Sequence, residues 1–144
     1  MIVDLAHASP AAFAETLAIA TRPVVVSHGG VKATCNTTRN LTDDQLRALA
    51  ANGGVIGIGY WDAAVCKATP AATAAAIKHV RDLVGVQYVG LGSDFDGGTT
   101  TGIDTAELGA VTQALLDAGF SDAEIAAVMG GNVIRVLRAG TLSQ

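Results

Sequence analysis

The sequence predicts an α/β fold: four consecutive βα units whose strands form a parallel sheet. Three observations carry this expectation. Short apolar runs alternate with helical patterns along the whole chain. The apolar runs are continuous rather than alternating in polarity, so both faces of each strand are covered. Half of the residues are hydrophobic but only 4% are aromatic. The interior is therefore filled by small and branched side chains, which suits helices packed on strands.

The first unit has a strand at residues 2–6. Its helix starts at Ser9-Pro10, a capping serine followed by proline at the first helical position, and continues through Phe13, Leu17 and Ile19. The second strand spans 23–27, and a long loop, 29–40, follows it. Thr42 then caps a helix with Leu46, Leu49 and Ala50 on its apolar face, and Asn52-Gly53-Gly54 stops it. The third strand covers 55–60. After a loop at 61–69, Pro70 opens a helix with Ile77, Val80, Leu83 and Val84 at helical spacing, and Gly85 ends it. The fourth strand covers 88–92 and runs into Ser93-Asp94-Phe95-Asp96-Gly97-Gly98 and a Thr/Gly loop. Two helices close the chain. One covers about 105–118. The other is capped by Ser121, with Glu124 at the capping-box position, and runs to about Ala139.

No linker interrupts these units, so residues 1–144 read as one domain. The connections should be right-handed. An open flavodoxin-like sheet and a piece of a (β/α)₈ barrel both fit. A whole barrel takes about 250 residues, so four units in 144 residues amount to about half of one.

The bulk properties exclude several classes. With 15% charged residues the chain is not disordered. A net charge of −4 and no Lys/Arg cluster argue against a nucleic-acid partner. No apolar stretch approaches the roughly 20 residues of a membrane span. No signal peptide is expected at the start, where Met1 runs straight into a strand, so the start reads as cut. No hydrophobic tail follows Leu142, so no C-terminal lipid-anchor signal is expected.

Two of the three histidines, His7 and His28, sit just after the first and second strands. In α/β folds those strand tips form the ligand-binding face. The same face should carry Asp4, Ser27, Arg39-Asn40, Asp94 and Asp96. Imidazole suits Zn²⁺, and a carboxylate beside it can take a proton from water on the metal. An arginine at the rim can clamp a carboxylate. Together they read as metal-assisted hydrolysis of a small anionic substrate.

Plainer readings stand beside this one. Asp94 and Asp96 could simply shape the turn at Asp96-Gly97, and their spacing lets at most one face the site. Arg39 alone would be a solvated loop residue. His79, in mid-helix, reads as structural. Asp4, inside its strand, reads as a support for a ligand. Gly57 and Gly59 ease close packing. Tyr60 and Trp61 either line a pocket or cover the core. By count alone, Cys35 and Cys66 read as reduced thiols, although both follow strands of adjacent units and so share a face.

Several blocks together resemble one known family. These are Asp4-Leu5-Ala6-His7, Ser27-His28-Gly29, Arg39-Asn40-Leu41-Thr42-Asp43, Gly53-Gly54-Val55-Ile56-Gly57 and Gly90-Leu91-Gly92-Ser93-Asp94-Phe95-Asp96-Gly97. In this order they resemble the C-terminal half of the membrane (renal) dipeptidases, the M19 zinc peptidases, over essentially the whole chain. The resemblance implies half of a (β/α)₈ TIM barrel, strands 5–8. It implies a complete enzyme with two zinc ions, bridged by a glutamate and a water, that hydrolyses dipeptides through a metal-bound hydroxide and forms a homodimer. His7 and His28 match two ligands of one zinc. Arg39 matches the arginine that binds the substrate's terminal carboxylate. Asp94 matches the acid that handles the proton of the bridging water, with Asp96 the alternative. Cys35 and Cys66 fall where some secreted members form a disulfide. That pairing would imply a periplasmic or extracellular protein, and free thiols a cytoplasmic one.

The chain departs from the family at Ala6, where serine is frequent, and at Gly29-Gly30, where serine or asparagine is common. The larger departure is the missing N-terminal half, with its His-x-Asp pair, bridging glutamate and substrate-contacting histidine. The isolated chain is therefore expected to be inactive. Two further readings remain: a non-catalytic half-barrel, either an inert fragment or a self-associating metal-binding module, and another amidohydrolase-type barrel such as a phosphotriesterase relative.

Overall fold

The computed structural model describes residues 1–141. The end of the chain from Leu142, where the lipid-anchor reading falls, lies outside them. The elements are α1 (Pro10–Ile19), β1 (Val25–Gly29), α2 (Asp43–Ala51), β2 (Val55–Ile58), α3 (Asp62–Val65), α4 (Pro70–Val84), β3 (Val89–Leu91), α5 (Leu108–Asp117), α6 (Asp122–Ala126) and α7 (Asn132–Thr141). The strands form one parallel sheet in the order β1-β2-β3.

The first predicted strand is reduced to one parallel bridge, Asp4 with Val25. Leu5 N donates to Val25 O at 2.8 Å and Val25 N to Val3 O at 2.9 Å. Ladder bonds form only on this side, and the segment turns away at Ala6-His7, so it stays short. It still lies beside β1. Each strand is thus next to its chain neighbour, with no reversal of order. A flavodoxin-like sheet reverses its order at a switch point. Sequential order is that of a barrel wall.

The helix ends follow the sequence signals. Ser9 Oγ, Thr42 Oγ1 and Thr69 Oγ1 accept from Ala12 N, Gln45 N and Ala72 N. Thr42 with Gln45, and Ser121 with Glu124, form capping boxes. Gly53 and Gly85, both at positive φ, end α2 and α4. Two details differ from expectation. The loop after β2 contains the single turn α3, and the last helix is interrupted by a wide turn at Ala127–Gly131 before α7 resumes.

Val26, Ile56, Ile58 and Val89 are almost wholly buried, and Leu46, Leu49, Ile77, Val80, Val111 and Leu115 pack from α2, α4 and α5. At the N-terminal end of the sheet, Asn132 Nδ2 donates to Val86 O and Val89 O, and Arg135 to Gly53 O and Gln87 O. These bonds secure the strand starts and leave the opposite, C-terminal tips to the polar residues. No helix among the described residues is long and apolar enough to cross a membrane.

Candidate metal and substrate site

Three local distortions aim the strand-tip side chains. His7 has a left-handed backbone, φ 63°, in a turn where Ala6 N donates to Asp4 Oδ1 at 3.0 Å. His28 lies in a break of register between Val26 and Gly29, a bulge of the kind that re-aims side chains. The carbonyl of Ser27 pushes there into space that Gly57 and Gly92 leave empty. A Cβ on either glycine would lie within 2.3 Å or 2.2 Å of that oxygen, respectively. Asp94 is also left-handed, φ 53°. Its carbonyl accepts from Gly97 N and Thr99 Oγ1, so Asp94 shapes the turn that the Asp-Gly pair predicts. Left-handed backbone in non-glycine residues is strained and concentrates at functional sites.

These turns bring four predicted residues together. His7 Nε2 and His28 Nε2 face each other at 3.0 Å. Asp94 Oδ1 is 3.8 Å from His28 Nε2. Arg39 Nη2 donates to His28 O at 3.0 Å and stands 3.5 Å from His7 Nε2. The His28 and Asp94 side chains are only 17% and 16% exposed. Asp96 is exposed.

Asp4 and Arg39 carry the electrostatics. Burial would raise the Asp4 carboxyl, but hydrogen bonds from the Ser27 side chain and from the N–H groups of Ala6 and Ser27, with His28 nearby, hold it below the usual range. Burial pulls the Arg39 guanidinium down, and Asp94 and Asp4 oppose this. The Arg39 charge is thus partly desolvated and balanced by two carboxylates.

The loop that presents Arg39 is tied down at several points. A Cys35–Cys66 disulfide, Cα–Cα 5.3 Å, joins it to the turn after α3. Buried Asn40 donates to Cys35 O at 2.7 Å and Ala64 O at 2.8 Å. Thr37 Oγ1 donates to Ala63 O at 2.8 Å, and Val31 bridges to Leu41. The other predicted residues take plainer roles. His79 pairs with Asp43 at 2.8 Å, linking α4 to α2. Tyr60 and Trp61 are both buried. Burial pushes the Tyr60 phenol up to about 12, and the Trp61 ring lies 6.0 Å from that of His28.

Sequence reasoning underrated Ser27, whose Oγ lies 2.9 Å from His28 Nδ1. It also missed the bulge. The available signal was glycine in mid-strand at Gly57, which often marks a close backbone approach.

On a tetrahedral zinc with Zn–N bonds of about 2.0–2.1 Å, two nitrogens stand about 3.4 Å apart. The facing Nε2 atoms at 3.0 Å fit two ligands of one such ion. Among the described residues no group of three or more His, Cys, Asp or Glu is arranged to hold a metal. The donor pair therefore fits zinc without completing its coordination.

The family model for membrane dipeptidase (peptidase family M19) matches residues 1–143. The chain belongs to the membrane dipeptidase family. Dipeptidase aclJ of Aspergillus oryzae is 39% identical over 145 residues, covering 95% of this chain and 34% of that protein. A metallo peptidase from Rhodobacter sphaeroides, solved with a phosphinate mimic of the dipeptide L-Ala-D-Ala, superposes with a TM-score of 0.86 at 25% identity, covering 94% of this chain and 41% of that one. The probable dipeptidase PvdM from Pseudomonas aeruginosa superposes at 0.90 and 24% identity, over 96% and 50% of the two chains. This membrane dipeptidase family member thus has the fold of a partial (β/α)₈ barrel. It spans about a third of the length of the Aspergillus relative.

Proposed function

We propose that residues 1–144 are the C-terminal half of a zinc-dependent dipeptidase and are inactive without the other half. The observation that carries this reading is the convergence of His7 Nε2, His28 Nε2, Arg39 Nη2 and Asp94 Oδ1 on one strand-tip face. His7 and His28 would hold one zinc. Bound there, zinc supplies Lewis acidity, polarising a carbonyl and making water a better nucleophile near neutral pH.

The chain's own residues do the rest. Arg39 binds the terminal carboxylate of a dipeptide, and its distance from His7 keeps the adjoining peptide bond at the histidines. Asp94, a largely buried carboxylate beside His28, takes the proton of the attacking water and returns it to the leaving amine. The phosphinate dipeptide mimic held by the Rhodobacter relative supports a dipeptide as substrate. The remaining zinc ligands belong to the N-terminal half, and the complete enzyme is a homodimer. The disulfide supports a periplasmic or extracellular setting.

A chimera tests this. The N-terminal part of the Aspergillus relative is fused to this chain and assayed on L-Ala-D-Ala. Zinc-dependent hydrolysis is expected. Arg39→Ala should raise KM about ten- to hundredfold, the loss of a charged hydrogen bond. Asp94→Asn should cut kcat by about 10²–10⁴. A folded, zinc-loaded chimera without activity contradicts the reading.

A further inference from the structure

His7 and Arg39 also border a cavity of about 470 Å³, set between α1, α2 and the Arg39 loop. Leu5, Phe13, Leu17 and Leu41 give it apolar walls. Lys32 lines it as well and is half-buried. Among the described residues the Lys32 ammonium has no ion-pair partner. The acid on the same wall, Asp44, has a side chain that is 95% exposed and pairs with Arg47 at 3.1 Å. Taking a cation partly out of water without a counter-charge is unfavourable, and an anion entering the cavity offsets that cost.

Lys32 and Arg39 are held at a fixed spacing. Lys32 N donates to Leu41 O at 2.8 Å and Leu41 N to Gly30 O at 3.0 Å, which closes the base of the loop. The Cys35–Cys66 disulfide anchors the chain between the two cations. A ligand that meets both therefore has little ordering of the loop to offset.

We propose that this cavity receives the side chain of the substrate's C-terminal residue, and that Lys32 selects an acidic one, aspartate or glutamate. The inference rests on the reading of Arg39 as the residue that binds the terminal carboxylate. With that carboxylate on Arg39 and the peptide bond at the histidines, the last Cα lies between them. Its side chain is then next to the cavity that Arg39 and His7 border. An acidic side chain suits both parts of the wall. Its methylene stem meets the leucines and Phe13, and its carboxylate meets the ammonium. An apolar side chain meets only the first part and leaves Lys32 uncompensated. Lys32 is thus a specificity-determining residue, set apart from the groups that act on the peptide bond.

The test follows binding by the chain itself, without added metal, in ¹⁵N amide spectra at low ionic strength. The ligands are L-Ala-D-Glu and its neutral isostere L-Ala-D-Gln. Both share the frame of the L-Ala-D-Ala mimic held by the Rhodobacter relative. Wild type should bind L-Ala-D-Glu about tenfold more tightly, the effect of one charged hydrogen bond, with the largest shifts at residues 30–42. Added salt should shrink the preference. Lys32→Met, which keeps an apolar stem and removes the charge, should bind both alike. A nuclear Overhauser contact between the Lys32 ε-methylene and the glutamate γ-protons places the carboxylate even if that variant does not fold. Equal affinities in wild type, a preference that persists in folded Lys32→Met, or binding of neither dipeptide overturns the inference. Selective binding of L-Ala-D-Glu at Lys32, with a folded chimera that cleaves neither dipeptide, upholds the inference and counts against the dipeptidase reading. A chimera that cleaves both alike, without selective binding, does the reverse.

Discussion

The Ser27 carbonyl lies where a methyl group on Gly57 would come within 2.3 Å of it. The backbone there can cross only over a residue without a side chain, and the crossing is what turns His28 toward His7. Gly57→Ala should therefore have two effects. Forcing a methyl group into a packed position costs about 1–3 kcal/mol, readable as a lower midpoint in denaturant unfolding. The displaced bulge should also move the His28 ring, readable as a shift of its ring signals. Unchanged stability and unchanged ring signals in Gly57→Ala would mean that the close approach does not constrain the site. At this scale the sequence was partly legible. His7 and His28 stand out because each follows an apolar run that points to one face, whereas Arg39 and Asp94 gain weight only beside them and from the family resemblance. The left-handed turns at His7 and Asp94 do not, because neither residue type demands positive φ. That conformation is imposed by the folded surroundings.

Among the elements, helix starts and stops were read closely, since capping residues and terminal glycines act locally. Thr42 with Gln45 and Ser121 with Glu124 satisfy backbone groups within one turn, so their signals survive without tertiary context. The first strand and the single turn α3 were less legible, because each depends on partners distant in sequence. The Arg39 loop depends on such partners too. Its disulfide closes a separation of 31 residues, which in the chain-entropy account is worth about 3–4 kcal/mol. Replacing both Cys35 and Cys66 by serine should lower unfolding stability by about that amount. It should also broaden the amide signals of residues 36–40 more than those of α4 and α5. A loss of stability with the loop signals unchanged would show that Asn40 and the Val31–Leu41 bridge hold Arg39 without the disulfide.

For the whole molecule, sequential strand order decides between the two architectures that the pattern of elements alone left open. Half of a barrel leaves its sheet open, and β3 has no partner strand on its outer side among the described residues. An apolar cavity of about 320 Å³ lies along the sheet, lined in part by Ile2, Val25, Val55, Leu91 and Val133. Such a surface suits the remaining half of a barrel, in keeping with relatives of which this chain covers only a part. The central claim is that His7 and His28 form the zinc-binding pair of that barrel. Zinc titration of the chain, with a competing chelator and His7→Ala and His28→Ala beside wild type, tests it most directly. The account predicts one weakly held zinc per chain, weakened at least about tenfold by either substitution. Zinc affinity that is the same in all three proteins would contradict it.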